Sequence, residues 1–441
     1  MSQRSFLLIA VLGLGIASVA AADESEPLRV RWIDALQMAR RRHVSVLIAQ
    51  ERLEQALARL TQARSTMLPQ VIATTSETRQ TRNLDAAGIT LPGHDPLVGP
   101  FNTFDARLAV TQMLFDAGVL ERFRAAKAGR QLSLAELRKS KQDAVALAAS
   151  LYLDAWRAAQ HVELAQMLLV RDQERLRVVS AQVAMGTAAV IERQQAEAAL
   201  TRSLSGWHAA LTEATERRLD FAAAVGLPLS QTLVFDDDAA IPDVAVPEAS
   251  AVLASVENHP DVEAEQQRLR ETQATRAAER LDALPRVSLN ADYGASGKQP
   301  NDAQGTYAIG AQVSMPLFEG GRRVARVREA VSRVRAQEAQ VNETRANVEA
   351  RGLSAVQVLQ RVQVLVRAQD DAARVAATQL ALARHRLSTG IGSELDVLDA
   401  AGQLAQARDA STEAWVVFRL AQMHVAHAMG TVDDFIDEES P

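Results

Sequence analysis

Residues 110–118 read Val110-Thr111-Gln112-Met113-Leu114-Phe115-Asp116-Ala117-Gly118, and residues 313–321 read Val313-Ser314-Met315-Pro316-Leu317-Phe318-Glu319-Gly320-Gly321. Each stretch closes a segment of alternating polarity and opens a long, proline-free, alanine-rich tract, so the same passage from strand to helix occurs twice. The correspondence continues downstream, where Phe115 to Phe318 is a step of 203, and Gly186 to Gly390 and Gly226 to Gly430 are steps of 204. Upstream, His43 pairs with His259 and Leu68-Pro69 with Leu284-Pro285, both at 216, which leaves about a dozen extra residues in the first copy between its two landmarks. Biased composition generates chance repeats, but glycine, proline and phenylalanine landmarks kept in order point to an internal duplication.

The 13 prolines leave four windows free, 28–68, 101–227, 261–284 and 317–440. Long helices fit there, because proline removes a backbone donor and clashes with the preceding turn. Within the two longest windows the breaks fall at glycines: Gly118 to Gly186 and Gly321 to Gly390 span 68 and 69 steps, about 100 Å of helix at 1.5 Å per residue. Gly129 and Gly352 are expected to soften these tracts locally. Apolar residues recur at helical spacing, Leu147, Leu151, Tyr152, Leu153 and Trp156 in the first copy and Val356, Leu359, Val362, Leu365 and Val366 in the second. Periodicity alone describes a solvated antiparallel coiled coil.

Between the Leu-Pro and Leu-Phe landmarks the period changes to two. Val287, Leu289, Ala291 and Tyr293 alternate with polar neighbours, as do Tyr307, Ile309, Ala311 and Val313 after a Gly, Pro and Asn-rich loop. In the first copy Phe104, Ala106, Leu108 and Val110 alternate, while the partner near 70–80 is weaker and rich in threonine. Strands of about 9–11 residues cross a bilayer when tilted; a soluble sheet resting on the helices is the alternative. Four strands per chain cannot close a membrane barrel, which begins at about eight. An open edge is not tolerated in lipid, so spanning requires several chains, and a symmetric trimer would pool about twelve strands.

The chain has 441 residues, 48% hydrophobic but 4% aromatic, and a net charge of -6. That balance carries no footprint for nucleic acid. Residues 1–22 read as a secretory signal peptide, with Arg4, an apolar run from Phe6 to Ile16 and Ala20-Ala21-Ala22. There is no cysteine, hence no disulfide and no lipidated cysteine. No nucleophile elbow, phosphate-binding glycine loop or metal cluster is present, so no enzyme is indicated. His424 and His427 lack a third ligand and read as structural, and Asp236-Asp237-Asp238 lacks ordered calcium-ligand spacing.

The Leu-Pro landmarks, Pro316-Leu317-Phe318-Glu319-Gly320-Gly321 with its twin at 114–118, and Leu395-Asp396-Val397-Leu398-Asp399-Ala400 after a glycine turn together resemble the TolC-type outer-membrane factor family. The resemblance covers essentially the whole mature chain. It implies a mainly α fold with a transmembrane β-hairpin per repeat, trimerised into a 12-stranded β-barrel continuous with a long α-helical barrel. The expected organisation is a first repeat at 23–230 (hairpin about 70–113, long helices about 117–225), a linker at 231–257, a second repeat at 258–430 (hairpin about 286–315, long helices about 320–429) and a tail at 431–441. Linker and tail would form an equatorial domain, and 81–102 and 294–305 would be extracellular loops.

The resemblance also implies a passive exit duct for a tripartite efflux or type I secretion system, without a cofactor. Its partners would be two further copies, a periplasmic adaptor, an inner-membrane pump and outer-membrane lipid. A periplasmic adaptor or coiled-coil scaffold is the rival reading, but adaptors carry one helical hairpin where this chain has two. Asp396 and Asp399 would line the periplasmic constriction, six carboxylates in a trimer, attracting cations and raising one another's pKa. Their first-copy equivalents are Glu192 and Gln195. Gly186, Thr187, Gly390 and Ile391 would form the tips that meet the adaptor, and Phe115, Gly118, Pro316, Phe318, Gly320 and Gly321 the strand-to-helix junctions. Gly392 and Leu387 depart from the basic and aromatic gate residues of some members, so those gating contacts do not carry over.

Overall fold

The computed structural model describes residues 27–89, 93, 95–235 and 245–439. The signal-peptide segment and the Asp236-Asp237-Asp238 run lie outside them. In chain order the elements are β1 (Leu28–Val30), α1 (Trp32–Arg42), α2 (Val44–Ser65), β2 (Gln70–Asn83), β3 (Leu97–Phe115), α3 (Ala117–Ala184), α4 (Val190–Val225), β4 (Leu233–Phe235), α5 (Ala249–Ser255), α6 (Pro260–Leu281), β5 (Arg286–Gly297), β6 (Gln304–Ser314), α7 (Arg322–Ser388), α8 (Glu394–Met429) and α9 (Val432–Glu439). The order helix, hairpin, long helix, shorter helix occurs as α2-β2-β3-α3-α4 and again as α6-β5-β6-α7-α8.

α3 runs for 68 residues and α7 for 67 without a break, so the softening expected at Gly129 and Gly352 does not occur. Tertiary contacts override a local propensity cost of this size. Gly352 in fact answers a packing demand, because a Cβ there would lie 2.5 Å from Val252 Cγ1 on α5.

The core is equatorial and aromatic. Trp32, Leu36, Tyr152, Trp156, Phe221, Trp415, Phe418, Met423 and Ile436 are buried together. Tyr152 meets Trp32, Phe221 and Phe235 edge-on, with centroids 5.8, 5.7 and 5.3 Å away, and its hydroxyl donates to the Val30 carbonyl at 2.9 Å. The equatorial unit draws on more than linker and tail: β1 pairs in parallel with β4 from the linker, and α1 supplies Trp32 and Leu36. Of the seam residues, Tyr152, Leu153, Trp156, Val356, Leu359, Val362 and Val366 are buried, whereas Leu147 and Leu365 are exposed.

Two joints stack helices end to end. His43 and His259 cap α2 and α6, each accepting on Nδ1 from the backbone N–H two residues on, Ser45 at 3.2 Å and Asp261 at 3.1 Å. With Nδ1 accepting, His259 carries its proton on Nε2 and donates it to the His427 carbonyl of α8 at 3.2 Å. The buried imidazole thus joins the end of α8 to the start of α6.

β2, β3, β5 and β6 form one antiparallel sheet in that order. Leu108 lies opposite Tyr293 and Tyr293 opposite Tyr307, while Val110, Ala291 and Ile309 form the next row on the same face. Arg107, Asp105, Asp292, Asn290 and Thr306 fall on the other face. The strands are 14, 19, 12 and 11 residues long, so the first hairpin exceeds the expected length and the loops shrink to 84–96 and 298–303. Threonine-rich β2 lacks clear alternation, but its β-branched side chains suit a strand once β3 pairs along it.

Candidate functional site

Three places carry the residues singled out in the sequence: the strand-to-helix junctions, the helix tips and the first turn of α8. At the first junction Asp116 caps α3 by accepting from the Val119 N–H at 3.0 Å. Its buried carboxylate also lies 3.7 Å from Arg122 and 3.4 Å from Arg286, and both arginines reach Asp282, at 2.9 and 3.2 Å. This alternating network ties α3 to α6 and β5 and explains Gly118, where a Cβ would stand 2.1 Å from Asp282 Oδ1. Phe115 sits just past an irregularity in the β3–β5 register.

The second junction is built differently. Pro316 and Phe318 lie in an irregular stretch, and Gly320 and Gly321 adopt φ of +59° and +86° before α7 begins. The Arg322 guanidinium beside Glu319 holds that carboxyl below the usual range. Leu317 and Phe318 are 84% and 89% exposed, which leaves a large apolar surface without a partner among the described residues.

The two tips close identically at a step of 204. Thr187 N–H donates to the Gln182 carbonyl at 2.9 Å, and Ile391 N–H to the Arg386 carbonyl at 3.0 Å. Gly186 and Gly390, with φ of +73° and +76°, permit this helix-ending turn. Gly392 is packed close, since a Cβ would come within 3.0 Å of Leu387 N and 3.1 Å of Arg386 Cβ. Met185, Val190, Ile191 and Ile391 are exposed around the tips.

Both singled-out aspartates are exposed, but each is engaged within its own chain. Asp396 completes a capping box, accepting from the Ser393 N–H at 2.9 Å while its own N–H donates to Ser393 Oγ at 3.1 Å. Those bonds hold its carboxyl below the usual range within the single chain. Asp399 accepts from Arg175 Nη1 on α3 at 2.8 Å. Sequence reading missed Arg175 because 224 residues separate it from Asp399, and no local pattern signals such a pair.

His427 Nε2 lies 2.8 Å from Asp143 Oδ1, and no group of three metal-binding side chains occurs among the described residues. No helix among them is long and apolar enough to cross a membrane. The apolar face of the sheet is therefore the feature to compare with known membrane folds.

The architecture is that of outer-membrane channels. It matches the Campylobacter jejuni CmeC outer membrane channel with a TM-score of 0.79 at 17% identity, over 92% of this chain and 89% of that one. It matches the open state of the Neisseria gonorrhoeae MtrE outer membrane channel with a TM-score of 0.74 at 20% identity, over 91% and 89%. In sequence, the outer membrane efflux protein BepC of Brucella suis is 25% identical over 331 residues, 73% of this chain and 71% of that protein. The family described as "Outer membrane efflux protein" matches residues 35–227 and 253–431. The chain belongs to the outer membrane efflux protein family, and it is an outer-membrane protein whose long helices extend into the periplasm.

Proposed function

We propose that three copies of this internally duplicated chain form a passive exit duct for a tripartite efflux or type I secretion system. A 12-stranded β-barrel, four strands from each copy, crosses the outer membrane and continues into an α-helical barrel. The observation that supports this is the sheet itself, which among the described residues has one apolar face and two unpaired edges, β2 and β6. In lipid each unpaired backbone group costs several kcal/mol, and joining β6 of one copy to β2 of the next leaves none.

The tips at Gly186, Thr187, Gly390 and Ile391 engage the hairpins of a periplasmic adaptor, and an inner-membrane pump supplies the energy. Asp396 and Asp399 contribute negative charge to the periplasmic constriction. A duct selects by diameter and lining charge, so no cofactor is called for. Membrane fractionation is expected to yield a heat-resistant trimer in the outer-membrane fraction, and recovery as a soluble periplasmic monomer would overturn the reading. In planar bilayers Asp396→Ala combined with Asp399→Ala is expected to lower cation selectivity; unchanged selectivity removes both from the constriction.

A further inference from the structure

The polar face of the sheet carries three charges at mid-strand, and all three meet at one point. Arg107 on β3 donates from Nε and Nη2 to Oδ1 and Oδ2 of Asp105, at 3.0 and 2.7 Å, and from Nη1 to Asp292 on β5. The bond to Asp292 crosses the join between the two hairpins. Gly294, directly opposite Arg107, clears the way, since a Cβ there would lie 2.6 Å from Arg107 Cβ. Over the paired stretches 70–78, 103–111, 288–296 and 304–314 the rest of that face is neutral, with Thr74, Ser76, Asn290, Thr306 and Gln312 among its residues. One guanidinium against two carboxylates leaves one uncompensated negative charge per chain.

The outer edges of the sheet lack this cluster. Adding 216 to the numbers of β2 and 203 to those of β3 turns the pair Gln70–Thr111 into Arg286–Ser314, which is itself a pair of the second hairpin. The two hairpins therefore correspond residue for residue. By the same steps Arg107 corresponds to Gly310, Asp105 to Ala308 and Asp292 to Ser76. Edge strands β6 and β2 thus bring no charge to the positions where β3 and β5 carry three. In a ring closed by β6 of one copy on β2 of the next, charged joins within chains alternate with neutral joins between them.

We propose that Asp105, Arg107 and Asp292 are the specificity-determining charges of the barrel, a selective ring separate from Asp396 and Asp399. The proposal rests on the duct reading, in which the apolar face meets lipid and the polar face lines the lumen. Arg107 is the limiting member, because it halves the charge that its two carboxylates would otherwise present to the lumen. The wall then favours cations only weakly, and anionic cargo still passes. Fixed charges on a pore wall select ions by sign, and salt shortens their reach from about 10 Å at 0.1 M to about 3 Å at 1 M.

The test is the potassium-to-chloride permeability ratio of the full-length protein in planar bilayers, with Asp396→Ala and Asp399→Ala present so that those carboxylates do not mask the barrel. At about 0.1 M salt Arg107→Gln, which unmasks both carboxylates, is expected to raise the ratio roughly twofold. Asp292→Asn, which leaves Arg107 balanced by Asp105 alone, is expected to lower it. Both shifts should fade at about 1 M salt. A clamp that only held β3 to β5 would reduce trimer yield without shifts of opposite sign, so a ratio unchanged, or moved the same way in both variants, overturns the proposal. Should Arg107→Gln fail to assemble, Asp292→Asn, which keeps an acceptor for Arg107, decides alone, and an unchanged ratio there overturns the ring. Absence of channels from the parent chain would instead overturn the duct reading, and the ring with it.

Discussion

The equatorial core and the β-sheet are built from similar apolar residues, yet one is complete within the chain and the other is not. Tyr152, Phe221, Phe418 and Leu36 have no exposed surface, whereas Tyr307, Ile309 and Val313 on β6 are 75%, 72% and 68% exposed. The core brings together segments as distant as β1 and α9, so every ring finds its partner in the same molecule. The sheet has satisfied its internal hydrogen bonds but not its apolar face or its edges. The difference teaches that the helical body finds its packing partners within the chain, while the apolar face and edges of the hairpins do not; in the proposed duct, lipid and neighbouring copies would supply them.

The strongest way to break this contrast is to cut into the core. Phe418→Ala is expected to cost about 3–5 kcal/mol, read as a lower denaturation midpoint of the helical signal. A midpoint unchanged from the parent would show that the equatorial cluster does not hold the helices. Next, Ile309→Arg, near the middle of β6, is expected to disfavour the membrane state by about 2–4 kcal/mol and to leave the helical midpoint alone. A fall in both would make sheet and core a single unit.

A smaller effect is expected where the two regions meet. Gly118→Val forces a side chain against Asp282 and should cost about 1–3 kcal/mol, seen as reduced trimer yield; an unaffected yield would mean that the Asp116-Arg122-Arg286-Asp282 network yields freely. The smallest concerns the joint between α8 and α6. Burial outweighs neighbouring Asp261 and holds His259 below its ordinary value, so the neutral ring is the folded form. The stability it contributes is therefore fully present above the unfolded value of about 6.5 and is lost as pH falls through the lower folded value. Hydrogen exchange in the first turn of α6 should quicken on mild acidification, and His259→Asn, which retains a capping acceptor, should blunt that response. Equal acid sensitivity in both proteins would clear His259 of the role.

Much of the architecture was legible in the sequence. Proline and glycine positions bounded α3, α4, α7 and α8 to within a few residues, since a missing donor or a positive φ acts locally. Alternation located β3, β5 and β6 for the same reason. β2 was weak because its threonines mark no face until β3 pairs with them. Gly129 and Gly352 misled, as the cost of a helical glycine is local while the packing that offsets it, such as Val252 against Gly352, is tertiary.

At the candidate site the division is sharper. The paired glycine tips and the Asp396/Asp399 spacing are properties of short stretches, and the sequence by itself determined them. It also determined the order helix, hairpin, long helix, shorter helix, which occurs twice along the chain. Only the tertiary structure decided what those aspartates touch, Asp396 turned back to Ser393 and Asp399 held by Arg175 from another helix. It likewise decided that α3 meets α8 through Trp156 against Trp415 as well as through Arg175 and Asp399. Contacts between residues more than two hundred positions apart depend on how whole helices pack, and no local period records that.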